Sequence, residues 1–125
     1  MERDIELQRT ILFAIEKEYK AGEDFMFGPR IVGYDLQVVA EHCDLLEQDG
    51  LIKKYAPHRG GGRIMDFRVG NLTSKGYDFL DLIRSNAVWE KTKTEIEEKK
   101  LPKTIEVIAR VAGIFSANFF KELNS

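Results

Sequence analysis

Disulfide chemistry is the first thing this sequence excludes, because Cys43 is its single cysteine and no intramolecular bridge can form. Long hydrophobic runs are missing as well. No stretch reaches the roughly 18–20 apolar residues that a membrane helix needs. The nearest, "VIARVAGIFSANFF", is interrupted by Arg110 and Asn118. Residues 1–10 carry acidic side chains and no apolar segment of the kind a secretory signal requires. The expectation is a cytoplasmic protein without a membrane span. Charge of one sign is also lacking. With 19 basic and 21 acidic residues the formal net charge is −2, so the chain as a whole gives no electrostatic reason to bind nucleic acid or an anionic membrane. Any such binding must come from a local patch.

The catalytic inventory is thin. There are two histidines, His42 and His58, and no cluster at metal-ligand spacing. His42 and Cys43 are adjacent and therefore about 100° apart on a helix, and neither has a second ligand at metal spacing nearby. Cys43 reads as core and His42 as a hydrogen-bonded structural histidine. "HRGGGR" has the glycines of a phosphate-binding loop but neither its strand-to-helix context nor its Lys-Ser/Thr. The expectation is a non-enzymatic protein with no cofactor and no metal.

What is present is a clear order of elements. Residues 3–20 repeat apolar side chains at threes and fours, including Ile5, Leu12, Ile15 and Tyr19, which predicts an amphipathic helix. "AGEDFMFGPRIVGY" then breaks the period with Gly22, Gly28, Pro29 and Gly33. It reads as a connector, with a short strand at residues 25–27 and its aromatic residues packed inward. A second helix runs from Tyr34 or Asp35 to Asp49 and is closed by Gly50. On it Leu36, Val39, Cys43 and Leu46 fall within an arc of roughly 80° that faces the core. The opposite arc, with Gln37, Ala40, Glu41, Asp44, Glu47 and Gln48, is acidic.

"LIKKYA" and "RIMDFRV" read as strands of a β-hairpin joined by "PHRGGG". "NLTSKGYDFLDLIRS" follows as a helix with Thr73 at its N-cap, continuing after a kink near Ser85-Asn86 through "AVWEKTKTEIEEKK". Pro102 suits the first turn of a last helix whose apolar stripe includes Ile105, Ile108, Ala112, Phe115 and Phe119. The fold class is mainly α with a small β-hairpin. The order of helix, extended connector, helix, glycine-rich hairpin and helix is that of a winged helix-turn-helix domain over residues 1–85, with a helical extension over residues 86–125. The short helix that normally precedes the recognition helix is reduced to "FGPRIVGY".

Arg3-Asp4, Val39 with His42, the Gly-Leu-Ile step at residues 50–52, the Leu-Thr-x-x-Gly-x-x-Phe-Leu segment at residues 72–80 and Trp89 occur in one order. In that ordered set the chain resembles an uncharacterised family of small bacterial and prophage proteins with a winged-helix core. The resemblance implies a fold and an association with mobile elements, and transfers no activity.

Three surfaces remain as candidates. The hairpin concentrates Lys53, Lys54, Arg59, Arg63 and Arg68 against the single acid Asp66, a basic wing suited to DNA phosphates or a minor groove. Its bland counterpart is a solvated hairpin whose charges blunt the sheet edge. The second helix has no Lys or Arg, so in a major groove Glu41, Asp44 and Glu47 would meet phosphate repulsion. Its face at Gln37, Glu41, Asp44 and Gln48 is the expected dock for a basic protein partner if the protein does not work through DNA. The stripe at Ile108, Ala112, Phe115 and Phe119 is the expected contact of a homodimer. The leading expectation is a DNA-binding or regulator-like module acting through the wing, and the alternative is a mobile-element- or phage-associated protein-interaction module on the same fold, docking through the acidic second helix or the C-terminal helix.

Overall fold

The structure, a computed structural model, describes residues 1–123 and all their side chains except those of Phe119, Glu122 and Leu123. In chain order the elements are α1 (Ile5–Glu18), β1 (Met26–Phe27), α2 (Leu36–Gln48), β2 (Tyr55–Gly60), β3 (Arg63–Val69), α3 (Ser74–Ile83), α4 (Asn86–Glu98) and α5 (Ile105–Leu123). This is a mixed α+β fold with a three-stranded antiparallel sheet in the order β1-β3-β2. The chain forms two compact units, Met1–Tyr77 and Asp78–Ser125.

In the first unit, α1 starts where the Asp4 carboxylate accepts the Leu7 N–H at 2.9 Å, an N-cap that satisfies one of the helix's unpaired donors. The Asp4 backbone N–H donates to His42 Nε2 at 2.9 Å. Because an N–H can only donate, Nε2 is the acceptor, and Nδ1 carries the proton that it gives to the Val38 carbonyl at 2.8 Å. Tyr34 adds a bond from its hydroxyl to the other Asp4 oxygen at 3.0 Å. His42 is thus the satisfied structural histidine that its neighbours suggested. It ties the start of α1 to the middle of α2.

On α2, Val39, Ala40, His42, Cys43 and Leu46 are buried. Ala40 corrects the expected exposed arc. The helix packs against α1 on one side and β3 on the other, so its covered arc is wider than a single interface would need. Gly50, at φ 77°, closes the helix, with the Leu51 N–H reaching the Leu46 carbonyl at 2.9 Å and the Gly50 N–H reaching that of Glu47 at 2.9 Å.

The hairpin turn is shorter than "PHRGGG". Only Gly61 and Gly62 form it, at φ 60° and 78°, and Gly60 already pairs with Arg63. Two successive positive φ angles make the tight turn that matches strand twist, so the strand continues through Pro57 to Gly60. Lys53 and Lys54 lie before β2, and Ile52 instead bridges to Leu72. Between β1 and α2 there is no helix. A turn closed by the Tyr34 N–H on the Ile31 carbonyl at 3.2 Å, with Gly33 at φ 88°, carries the chain across.

The Gly-Leu-Ile step and the Leu-Thr-x-x-Gly segment interlock. Thr73 donates its N–H to the Leu51 carbonyl at 3.0 Å and its hydroxyl to that of Gly50, and accepts the Gly76 N–H at 2.9 Å. Any Cβ on Gly76 would collide with the Leu51 carbonyl oxygen, so only glycine lets α3 start this close to the chain leaving α2.

In the second unit α4 and α5 pack together. Trp89, Ile96, Ile105, Ile108 and Ala112 are among the buried residues. Ser85 caps α4 by accepting the Val88 N–H at 3.3 Å, so the expected kink is a true break between two helices. Pro102 lies before α5 rather than in its first turn. Thr104 accepts the Val107 N–H at 3.2 Å and sets the start at Ile105. α4 ends with the same pair of bonds as α2, but Lys100 occupies the left-handed position, at φ 51°.

The two helix ends predict opposite mutational effects, measurable by urea denaturation. Gly76→Ala should lower stability by about 1–3 kcal/mol through overpacking against backbone. Lys100→Gly should raise it by about 0.5–1 kcal/mol, the left-handed penalty on a side chain less the added chain entropy of glycine. Unchanged stability in Lys100→Gly would contradict a left-handed Lys100.

Candidate nucleic-acid interface

The hairpin follows α2 directly, so its position depends on what holds it there. β3 is the middle strand, yet β1 covers only Arg68 and Val69 of it, with one further bond from the Gly28 N–H to the Phe67 carbonyl at 2.7 Å. Nearer the turn that edge of β3 has no strand beside it. The Gln37 amide fills the gap, with Nε2 donating to the Ile64 carbonyl at 2.7 Å and Oε1 accepting the Ile64 N–H at 3.0 Å. A primary amide has one donor end and one acceptor end, so it imitates a strand residue. Gln37 therefore anchors the hairpin to the first turn of α2. The sequence pointed it towards a partner, and this bond to β3 takes up its amide.

At the turn, Arg59 and Arg63 flank the glycines and both are exposed. Among the described residues no carboxylate forms an ion pair with either, or with exposed Lys53 and Lys54. Asp66, the hairpin's one acid, lies 3.8 Å from His58. Arg68 is apart from the tip, on the exposed face of the sheet, with its guanidinium 4.6 Å from the Phe25 ring and 5.5 Å from that of Phe27. The five cations thus fall into three places: a tip pair, a pair before β2, and Arg68 among aromatics.

Those aromatics correct the connector. Phe25 is 43% and Phe27 73% exposed, because the strand turns alternate residues to opposite faces and Met26 takes the inward place. Sequence reasoning missed both as surface residues. The alternation Phe25-Met26-Phe27 was the available signal, since it puts the two rings on one face.

On α2, Glu41 is exposed, and Asp44 accepts a bond from the Gln48 amide at 3.1 Å. Both carboxylates act on Tyr55 at the base of the hairpin. Burial first, then Asp44 and Glu41, push its hydroxyl up to about 12, against the opposing effect of Arg59. Burial alone pushes the Cys43 thiol up to about 12, which leaves it an inert core residue. On α5, Ile108 and Ala112 are 1% and 0% exposed, so neither is free to meet a second copy. Phe115 is half-buried, and the Phe119 side chain lies outside the described residues. Among the described residues no group of three or more His, Cys, Asp or Glu could hold a metal ion, and no helix is long and apolar enough to cross a membrane.

Fold and surface together define a small α+β protein with an exposed hairpin whose tip arginines have no carboxylate partner among the described residues. The chain belongs to the DUF2513 family, described as a hypothetical protein, whose model matches residues 2–102. An uncharacterised protein of Haemophilus influenzae is similar to it, 32% identical over 112 residues that cover 90% of this chain and 92% of that one. No solved structure matches. The family match runs from α1 through α4 and stops before α5 begins at Ile105.

Gln37→Glu keeps the shape of the side chain but removes the donor to Ile64. It should cost about 1–3 kcal/mol and speed hydrogen exchange of the hairpin amides relative to those of α1. Exchange at the wild-type rate would show that the hairpin does not depend on this bond. Alkaline pH tests Tyr55 and Tyr34. Both hydroxyls are raised above the unfolded value of 10.0, Tyr34 chiefly by its bond to Asp4. Their stabilisation is fully present below pH 10 and is lost as pH rises towards the folded values. In an absorbance titration, Tyr55→Phe should remove an ionisation near pH 12.

Proposed function

We propose that this protein is a winged-helix nucleic-acid-binding module, non-enzymatic and regulator-like, which engages duplex DNA phosphates through its hairpin wing. One observation carries the reading: Arg59 and Arg63 stand exposed on either side of a two-glycine turn with no carboxylate partner among the described residues. Glycines let backbone approach a phosphate closely, and unpaired guanidiniums release counterions on contact rather than breaking an internal ion pair. Consistent with it are the succession of helix, strand, helix and hairpin and the three-stranded sheet that the hairpin joins, although the helix that normally precedes a recognition helix is replaced here by a turn. The wing is held to α2 through Gln37, so its arginines come on a fixed support rather than a loose loop.

The role of α2 in this reading is positional. Its exposed side carries Glu41 and Asp44 and no basic residue, so it is not the element that attracts the duplex. A protein-docking role for the same face has less to support it, since Gln37 is bound to β3 and Gln48 to Asp44.

Fluorescence anisotropy of a labelled random duplex over a salt series tests the proposal. Wild type should bind at low salt and weaken steeply as salt rises. Arg59→Ala/Arg63→Ala should reduce the slope of log affinity against log salt by roughly 2, about 0.9 for each phosphate that is no longer neutralised. No binding at low salt, or an unchanged slope in the double variant, would refute it.

A further inference from the structure

We infer that the exposed sheet face at β1 binds an unpaired nucleic-acid strand, its bases stacking on Phe27 and Phe25 and its phosphates meeting Arg68 and Arg30. This rests on the nucleic-acid reading of the wing and extends it to a second surface and a different form of ligand.

The face is built in a way that a solvated edge does not require. Phe27 is 73% exposed beside Phe25, although Met26 alone supplies the inward contact of β1. The Arg68 guanidinium lies over both rings at 4.6 and 5.5 Å, which fixes it in place and leaves its N–H groups available. Phe27 also lines a shallow, open groove with Glu18, Met26, Gly28, Pro29 and exposed Arg30. Aromatic faces interleaved with arginine are the chemistry that binds single strands without reading sequence. From Arg68 to Arg63 along β3 is about 17 Å at the rise of an extended strand, so a strand leaving the aromatic pair can run to the wing tip.

Two features narrow the occupant further. Glu18 lines the groove, Glu23 and Asp24 precede Phe25, and Asp66 lies further along β3, so carboxylates offset the arginines on this face. Binding there must come from stacking more than from charge. A peptide added as a fourth strand fits less well. β1 is two residues long and is followed by Gly28 and Pro29, and proline has no N–H to offer a neighbouring strand.

The experiment compares labelled oligothymidylate with the random duplex for wild type, Phe27→Ala, Phe27→Tyr and Arg59→Ala/Arg63→Ala. Phe27→Ala should weaken oligothymidylate binding about 5- to 150-fold, the range for removing one stacked base, while Phe27→Tyr retains it. Phe27→Ala should leave duplex binding within about twofold, and oligothymidylate should show a shallower salt slope than duplex. Because Phe27 is exposed its removal should not unfold the protein, and an unchanged thermal midpoint confirms that. Duplex binding without oligothymidylate binding, or equal oligothymidylate binding by Phe27→Ala, overturns this inference and leaves the wing proposal standing. Oligothymidylate binding without duplex binding does the reverse.

Discussion

The edge of β3 that β1 leaves bare is the constraint on which the hairpin depends, and the Gln37 amide is what closes it. A middle strand with one side uncovered near a turn would expose a backbone donor and acceptor and could slip in register. The two bonds to Ile64 satisfy both groups with one side chain. They also fasten the strand to α2, whose other face receives α1 through His42 and Asp4. α2 therefore joins the elements of the first unit, and its position is set from both sides by polar contacts laid over an apolar core of Val39, Ala40, Cys43 and Leu46.

Several residues of the ordered set picked out in the sequence turn out to hold elements together. Asp4 and His42 bond to each other, and the Gly-Leu-Ile step meets the Thr-x-x-Gly segment through Thr73 and the close approach at Gly76. Each replaces packing area with a specific hydrogen bond or a missing side chain, and so tolerates few residue types. Residues of this kind serve the fold and are silent on chemistry. The exposed residues that could act, Arg59, Arg63, Phe25 and Phe27, lie outside that set.

Local patterns made much of the fold legible. The periods of α1, α2 and the helices after the hairpin, the closing role of Gly50 and the Thr73 cap all follow from residues within a few positions of one another, and the interruption near Ser85 was legible as a kink though it proves a full break. What the sequence concealed was set by distant partners or by very short elements. Gln37 meets Ile64 from 27 residues away, and no helical wheel can distinguish a solvated amide from one bound to a strand. β1 has two residues, so the alternation that exposes Phe27 and the preceding Phe25 spans only three positions and is easily passed over among the surrounding glycines. Ile108 and Ala112 share an apolar stripe whether a second copy or the chain itself covers it, and here they are covered within the chain. Pro102 fits a first turn by its fixed φ, but Thr104 supplies the side-chain acceptor that decides where the helix begins.

The same contacts limit what the proposed interface could read. Base edges are distinguished by amide and guanidinium pairs at the outer face of a helix, and on α2 the candidates are Gln37 and Gln48. Gln37 is committed to β3 and Gln48 donates to Asp44, while Glu41 stays exposed beside them. No arginine or lysine on α2 could take their place. A formal charge of −2 over the whole chain gives little long-range attraction, so association through the wing would begin only when the tip arginines come near phosphate. Contacts of that kind depend on backbone geometry and salt and carry little sequence information, so any selectivity would have to come from nucleic-acid form, with paired strands favouring the wing and unpaired bases the aromatic face.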